Sequence, residues 1–129
     1  MSTWDYVCEV MTSLPGTELD ADGEHPAWRI KGAVLVRRNP MMRVPDEEAI
    51  RSAHGELIAI RVFDAGEREL LLGQDPGTFF VTPHWQTSPS VLVWLDRAQD
   101  GLLSEILTDA WRGRAPKGLV SQWEAARDT

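Results

Sequence analysis

The stretch Leu57-Ile58-Ala59-Ile60-Arg61-Val62 is apolar at almost every position. A strand with one wet face alternates apolar and polar residues, whereas a nearly unbroken apolar run has no face to turn to water. This segment is therefore predicted to be a central, covered strand, and the rest of the chain has to supply its neighbours and its cover. Ala27 to Arg38 reads as a hairpin, with Trp28 and Ile30 alternating with Arg29 and Lys31, a turn at Gly32, and Val34 and Val36 on the return. Phe79 to Thr82 and Ser90 to Leu95 read as two further strands around the loop 83–89. Thr17 to Pro26 is acidic, shows no period and reads as a loop.

The cover comes from helices. Trp4, Val7, Cys8, Met11 and Leu14 form one apolar stripe, closed by Pro15-Gly16. Asp64 is placed to cap a helix from Ala65 to Gln74. Leu103, Ile106, Leu107, Ala110 and Trp111 make the apolar face of a helix from Asp100 to Gly113, and Leu119, Val120 and Trp123 that of a last helix from Pro116 to Arg127. A short helix is expected to start at Pro45 and stop before Gly55. The main elements run helix, three strands, helix, two strands, helix. This order predicts one two-layer α+β domain over residues 1–129, a mainly antiparallel five-stranded sheet with helices on one face.

Composition limits the role. No apolar run approaches the roughly 18 residues of a membrane span. Met1 to Asp5 has neither a basic start nor an apolar stretch, so no secretory signal is expected. Cys8 is the single cysteine, which excludes an intrachain disulfide and a cysteine zinc site and fits a cytoplasmic setting. No cofactor or metal is expected, because the chain has no phosphate-binding loop, dinucleotide fingerprint or nucleophile elbow, and its three histidines lack ligand spacing. Asp20-Ala21-Asp22-Gly23 carries only a fragment of a calcium loop, with Glu18 and Arg29 where that loop needs Asp and Glu.

The formal net charge of −7 disfavours unspecific binding to a phosphate backbone. The charge is unevenly spread, however. Residues 1–25 hold six acids and no Lys or Arg, while Arg29 to Arg43 holds five basic residues and no acid. Candidate ligand-binding residues are therefore Trp28, Arg37, Arg38, Arg61, His84 and Trp85. An imidazole and an indole on one loop offer a hydrogen-bonding edge and a stacking face, and arginine offers a planar fork for an anion. The structural alternative has Trp85 packing under its loop and His84 bonding to backbone. Catalysis by His84 needs a nucleophile and an orienting acid, and the sequence identifies neither, so binding ranks above catalysis.

Leu14-Pro15-Gly16-Thr17 after the first helix, Trp28-Arg29-Ile30-Lys31-Gly32, the run Asp75-Pro76 through Phe79-Phe80-Val81-Thr82-Pro83-His84-Trp85 into Pro89-Ser90-Val91-Leu92-Val93, and the ending Asp109-Ala110-Trp111-Arg112 with Arg114-Ala115-Pro116-Lys117 stand in order along nearly the whole chain. In these segments the chain resembles the MmcQ/YjbR-like proteins. The resemblance implies an α-β(3)-α-β(2)-α fold shaped like secretion chaperones, and nucleic acid as a partner, because members are often described as DNA-binding by analogy of fold. Ala33 and Thr82-Pro83 stand where many members carry lysine. The other reading is a small anionic or planar ligand, or a protein partner, at the Trp/Arg/His patch. Oligomeric state is open.

Overall fold

Trp4–Thr12 forms α1, opened by the Thr3 hydroxyl, which accepts from the Tyr6 N–H. Thr17–Asp20 is β1, Ala27–Ile30 β2 and Ala33–Arg38 β3, followed by α2 (Glu47–His54), β4 (Leu57–Arg61), α3 (Ala65–Gln74), β5 (Phe79–Phe80), β6 (Ser90–Trp94), α4 (Asp100–Arg114) and α5 (Lys117–Arg127). The structure is a computed structural model that describes residues 1–21 and 23–127. Asp22, part of the calcium-loop fragment, lies outside the described residues.

Among the described residues six strands form one antiparallel sheet in the order β1-β2-β3-β4-β6-β5. β4 lies between β3 and β6, with Leu57, Ile58, Ala59 and Ile60 all buried. The period of two sends Ile58 and Ile60, with Val91 and Val93 opposite, into a large core under α1 and α4. Leu57 and Ala59, with Trp94 and Leu92 opposite, turn to the other face. There they meet Met42, Val44, Ile50 and Phe80 in a smaller core, closed by the segment before α2 and by α2 itself. Trp94 is stacked between His54, at 5.0 Å, and Phe80, at 5.3 Å. Both faces of β4 are dry, as an apolar strand requires.

The α+β, two-layer architecture agrees with expectation, and the strand count does not. The sheet has six strands rather than five, because Thr17–Asp20, expected as loop, pairs with β2 from Thr17↔Ile30 to Asp20↔Ala27. An edge strand needs little apolar pattern of its own. Its backbone groups satisfy those of the neighbour, and Arg29 adds an ion pair to Asp20 at 3.3 Å. The β2–β3 turn uses Lys31 (φ 47) and Gly32 (φ 82), both left-handed, as a tight hairpin demands. In β3 the pairing steps from Trp28↔Val36 to Arg29↔Val34, so Leu35 is an extra residue and Leu35 and Val36 both enter the large core.

Asp64 caps α3 as anticipated, its carboxylate accepting from the Glu67 N–H at 2.8 Å. α2 begins two residues after Pro45, because the Glu47 carboxylate turns back to the Met42 and Arg43 N–H groups. It ends at Gly55, whose φ of 88° with ψ of −142° suits only glycine. Gly55→Ala is expected to lower stability by about 1–2 kcal/mol. Urea unfolding followed by far-UV circular dichroism checks this; an unchanged midpoint would show that the turn relaxes freely. No helix among the described residues is long and apolar enough to cross a membrane.

Candidate functional site

The second face of the sheet carries the site. β3 turns Arg37 toward this face, beside Ala59, and β4 turns Arg61 the same way, beside Ser90. Pro83–Trp85 winds into a single 3-10 turn after Thr82, and the Thr82 hydroxyl donates to the Met42 carbonyl at 2.7 Å in a buried bond. The Trp85 indole N–H donates to the Met41 carbonyl at 2.8 Å, which ties the loop to the segment preceding α2. From α3 the Arg68 guanidinium donates to the carbonyls of Trp85, Gln86 and Ser90, each at 3.1 Å. The indole is thus fixed through the Met41 carbonyl and the backbone of its loop through Arg68.

The segment 39–46 is shaped by strain and by one carboxylate. Asn39, Arg43 and Asp46 all have positive φ, between 58° and 62°, a conformation that costs a non-glycine residue on the order of 1 kcal/mol. Glu47 accepts from the Met42 N–H at 3.0 Å and the Arg43 N–H at 2.9 Å, and pairs with Arg51 at 2.8 Å. The Met42 N–H, then Arg51 and the Arg43 N–H, hold its carboxyl down at about 2, against the effect of burial. Arg51 reaches on to Asn39 Oδ1 at 2.9 Å and to the Pro40 carbonyl. His25 donates through Nδ1 to the Asn39 carbonyl at 2.6 Å, and Arg37 donates to the His25 carbonyl at 3.0 Å.

Two adjoining concavities result. One, of about 240 Å³, is bordered by His25, Arg37, Met41, Arg43, His84 and Trp85. The other, of about 220 Å³, is bordered by Val34, Arg37, Ala59, Arg61, Trp85 and Pro89, among others. Arg37 and Trp85 belong to both, so the two concavities meet at these residues. Among the described residues no carboxylate lines either one. Arg37, Arg43 and Arg61 have no ion-pair partner among the described residues, whereas Arg29, Arg38, Arg51, Arg68 and Arg112 each have one. Three unneutralised guanidiniums gathered at one ring, in a chain of net charge −7, is a local inversion of the protein's charge.

Of the residues singled out from sequence, Arg37, Arg61, His84 and Trp85 come together here. Trp28 and Arg38 do not. Trp28 pairs with Val36 and Arg38 with Ile58, which puts both on the face of the large core. Trp28 is 7% exposed, and its indole N–H has no partner among the described residues. Arg38 is ion-paired to Glu56 and lies 5.6 Å above the Trp4 ring. Adjacent strand residues face opposite ways, so Arg37 and Arg38 could not both reach one site. His84 is exposed, in edge contact with Trp85 at 6.2 Å, and hydrogen-bonds to no described residue. Trp85 is half-buried against the smaller core while keeping a face on both concavities.

Sequence reasoning did not place Arg43 or His25 in the site. Arg43 had a signal, as the last member of the acid-free segment; His25 had none, and arrives only because β2 pairs with β3. Among the described residues no group of three or more His, Cys, Asp or Glu side chains is arranged to hold a metal ion.

No protein-family model matches the chain. It is 35% identical over 130 aligned positions to the uncharacterized protein Rv2570 of Mycobacterium tuberculosis, a match spanning 97% of this chain and 98% of the relative. It stands in the same relation to the uncharacterized protein Mb2600 of Mycobacterium bovis. The chain belongs to the family of these mycobacterial proteins. Among solved structures, the crystal structure of Deinococcus radiodurans protein DR2400, a DUF419 domain, superposes with a TM-score of 0.66 over 96% of this chain and 89% of that one. At 18% identity this likeness establishes a shared fold.

Proposed function

We propose that this protein is a non-catalytic binding domain whose ligand joins an anionic group to a planar ring, received by Arg37, Arg43 and Arg61 around Trp85. The observation that carries this reading is the sharing of Arg37 and Trp85 by two adjoining concavities that no described carboxylate lines. A guanidinium without a carboxylate partner keeps its charge and its remaining donors for a phosphate or carboxylate, Arg37 giving one N–H to the His25 carbonyl, and the indole offers a face for stacking. The loop is clamped by Arg68 and by the Met41 carbonyl, so little ordering is left to do on binding. Binding is favoured over catalysis because exposed His84 has no described carboxylate or nucleophile within hydrogen-bonding reach.

Within this reading we also assign the chain to the MmcQ/YjbR-like proteins, on the segments Leu14 to Thr17, Trp28 to Gly32 and Phe79 to Trp85. Where lysines of that group are replaced by Ala33 and Thr82-Pro83, the positive charge of the site rests on its arginines instead. The single, half-buried Cys8 supports a cytoplasmic setting.

Isothermal titration with nucleoside monophosphates at low salt tests the reading. Arg37→Glu is expected to weaken binding at least about tenfold, as the loss of a charge-assisted contact and the gain of a repulsive one predict. Arg112→Gln, which borders neither concavity and is already paired to Asp109 and Glu124, is expected to have no effect. Failure of every nucleotide to bind, or equal loss from both variants, would refute the assignment.

A further inference from the structure

We infer that the site continues past Arg61 onto Phe63 and Arg114, and that its ligand is a short single strand of nucleic acid. This rests on the reading of the Trp85 site given above and extends it. Arg61 and Pro89, which line the second concavity, also line a third, of about 260 Å³, whose far wall is Phe63, Gly113 and Arg114. Among the described residues no carboxylate lines this third concavity, and Arg114 has no ion-pair partner.

Phe63 is 67% exposed. A single exposed ring carries little meaning by itself; what matters here is how it is seated. A side-chain carbon at position 113 would collide with the Phe63 ring, so the absence of one at Gly113 lets the ring lie against α4. The remainder of the ring is open to solvent, in a concavity that Arg61 and Arg114 also line.

From one concavity to the next stand Arg43, then Arg37 with Trp85, then Arg61, then Phe63 with Arg114, so guanidiniums and rings share one tract. A single-stranded nucleic acid offers phosphates to the guanidiniums of such a tract and unstacked bases to its rings, since each base has a face for an aromatic side chain. A duplex has its bases stacked and unavailable to such platforms. An acidic peptide supplies the charge but leaves both rings unused, and a mononucleotide fills only one end. The acidic balance of the chain does not oppose this. None of its described acids lines the three concavities, and Asp64, beside Phe63, marks one boundary.

Fluorescence anisotropy on the full chain tests the inference, using labelled thymidine octanucleotide, its ribo-uridine counterpart, a duplex of equal length, an octaglutamate peptide, and thymidine monophosphate as competitor. One or both single strands are expected to bind at least about tenfold more tightly than the mononucleotide and the duplex. Log affinity is expected to fall with log salt at a slope of about −2 to −3, as three or four phosphate contacts predict. Phe63→Ala is expected to cost the octanucleotide about tenfold, the usual worth of one base–ring stack. Arg114→Gln, an exposed position in the last turn of α4, is expected to cost severalfold and serves if Phe63→Ala does not fold. Octanucleotide binding no tighter than the monophosphate, or insensitive to both variants, overturns the extension while leaving the Trp85 site standing. Tighter binding of the peptide or the duplex also overturns it. No binding of either strand or of the monophosphate removes both readings.

Discussion

Trp111→Ala is expected to lower the free energy of unfolding by about 3–5 kcal/mol, as truncation of a buried large aromatic does. Trp111 is fully buried at the centre of the large core. Its indole N–H donates to the Pro15 carbonyl at 2.8 Å, joining α4 to the turn between α1 and β1 across 96 residues of sequence. The Trp123 ring meets it edge-on at 5.0 Å and, with Leu119, Val120 and the Arg112–Glu124 ion pair, fastens α5, a helix with no fully buried residue, to the domain. Alanine would leave a cavity, an unpaired carbonyl and a weakened seat for the last helix at once. Trp111→Phe keeps most of the volume and is expected to cost less, about 1–2 kcal/mol for the lost hydrogen bond and the residual void. Urea unfolding by far-UV circular dichroism measures both. A loss below about 1 kcal/mol for alanine would mean that the core can collapse around the site, against the packing described.

The second large effect lies at Glu47. Its carboxylate serves two backbone N–H groups and Arg51, and the whole segment 39–46 depends on it. Its carboxyl is held down at about 2 from an ordinary 4.5, a difference equivalent to about 3 kcal/mol. The side chain is 22% exposed, so the expected loss in Glu47→Ala is reduced by solvent screening to about 2 kcal/mol. The direction with pH follows from the depressed value. The contribution is complete above about pH 4.5, where the unfolded carboxyl is also ionised, and is lost as pH falls toward 2. The wild-type protein should therefore lose stability more steeply than Glu47→Gln across this window; parallel curves would show that the carboxylate is not bound as described.

Glu47 also links stability to the site. The segment it holds supplies Met41, whose carbonyl receives the Trp85 indole, and Arg43, which lines the first concavity. Loss of the carboxylate is expected to weaken ligand binding without removing any residue that touches the ligand. The three positive-φ residues in this segment, none of them glycine, are the kind of local strain that persists where surrounding structure over-determines it.

Much of the fold was legible in the sequence because it is encoded over short range. The apolar run Leu57 to Val62 declared a covered strand, Asp64 a helix start, and Lys31-Gly32 a tight turn, and each depends on a few neighbouring residues. Period two likewise dictated that Arg37 and Arg38 point apart, but not which of them would face the helices. That was decided by the register of β3 on β4, Arg37 opposite Ala59 and Arg38 opposite Ile58, with the extra residue at Leu35 adjusting the strand. The strand Thr17–Asp20 exists because β2 offers a free edge, not because its own residues demand it. The site is the most remote from sequence: His25, Arg43, Arg61 with Phe63, and Arg114 come from four separate stretches. Hydrophobic period records which side of an element is dry, and it carries no record of which polar side chains from distant elements will meet on the wet side. Only the packing of the sheet, the Arg68 clamp and the turn held by Glu47 determined that.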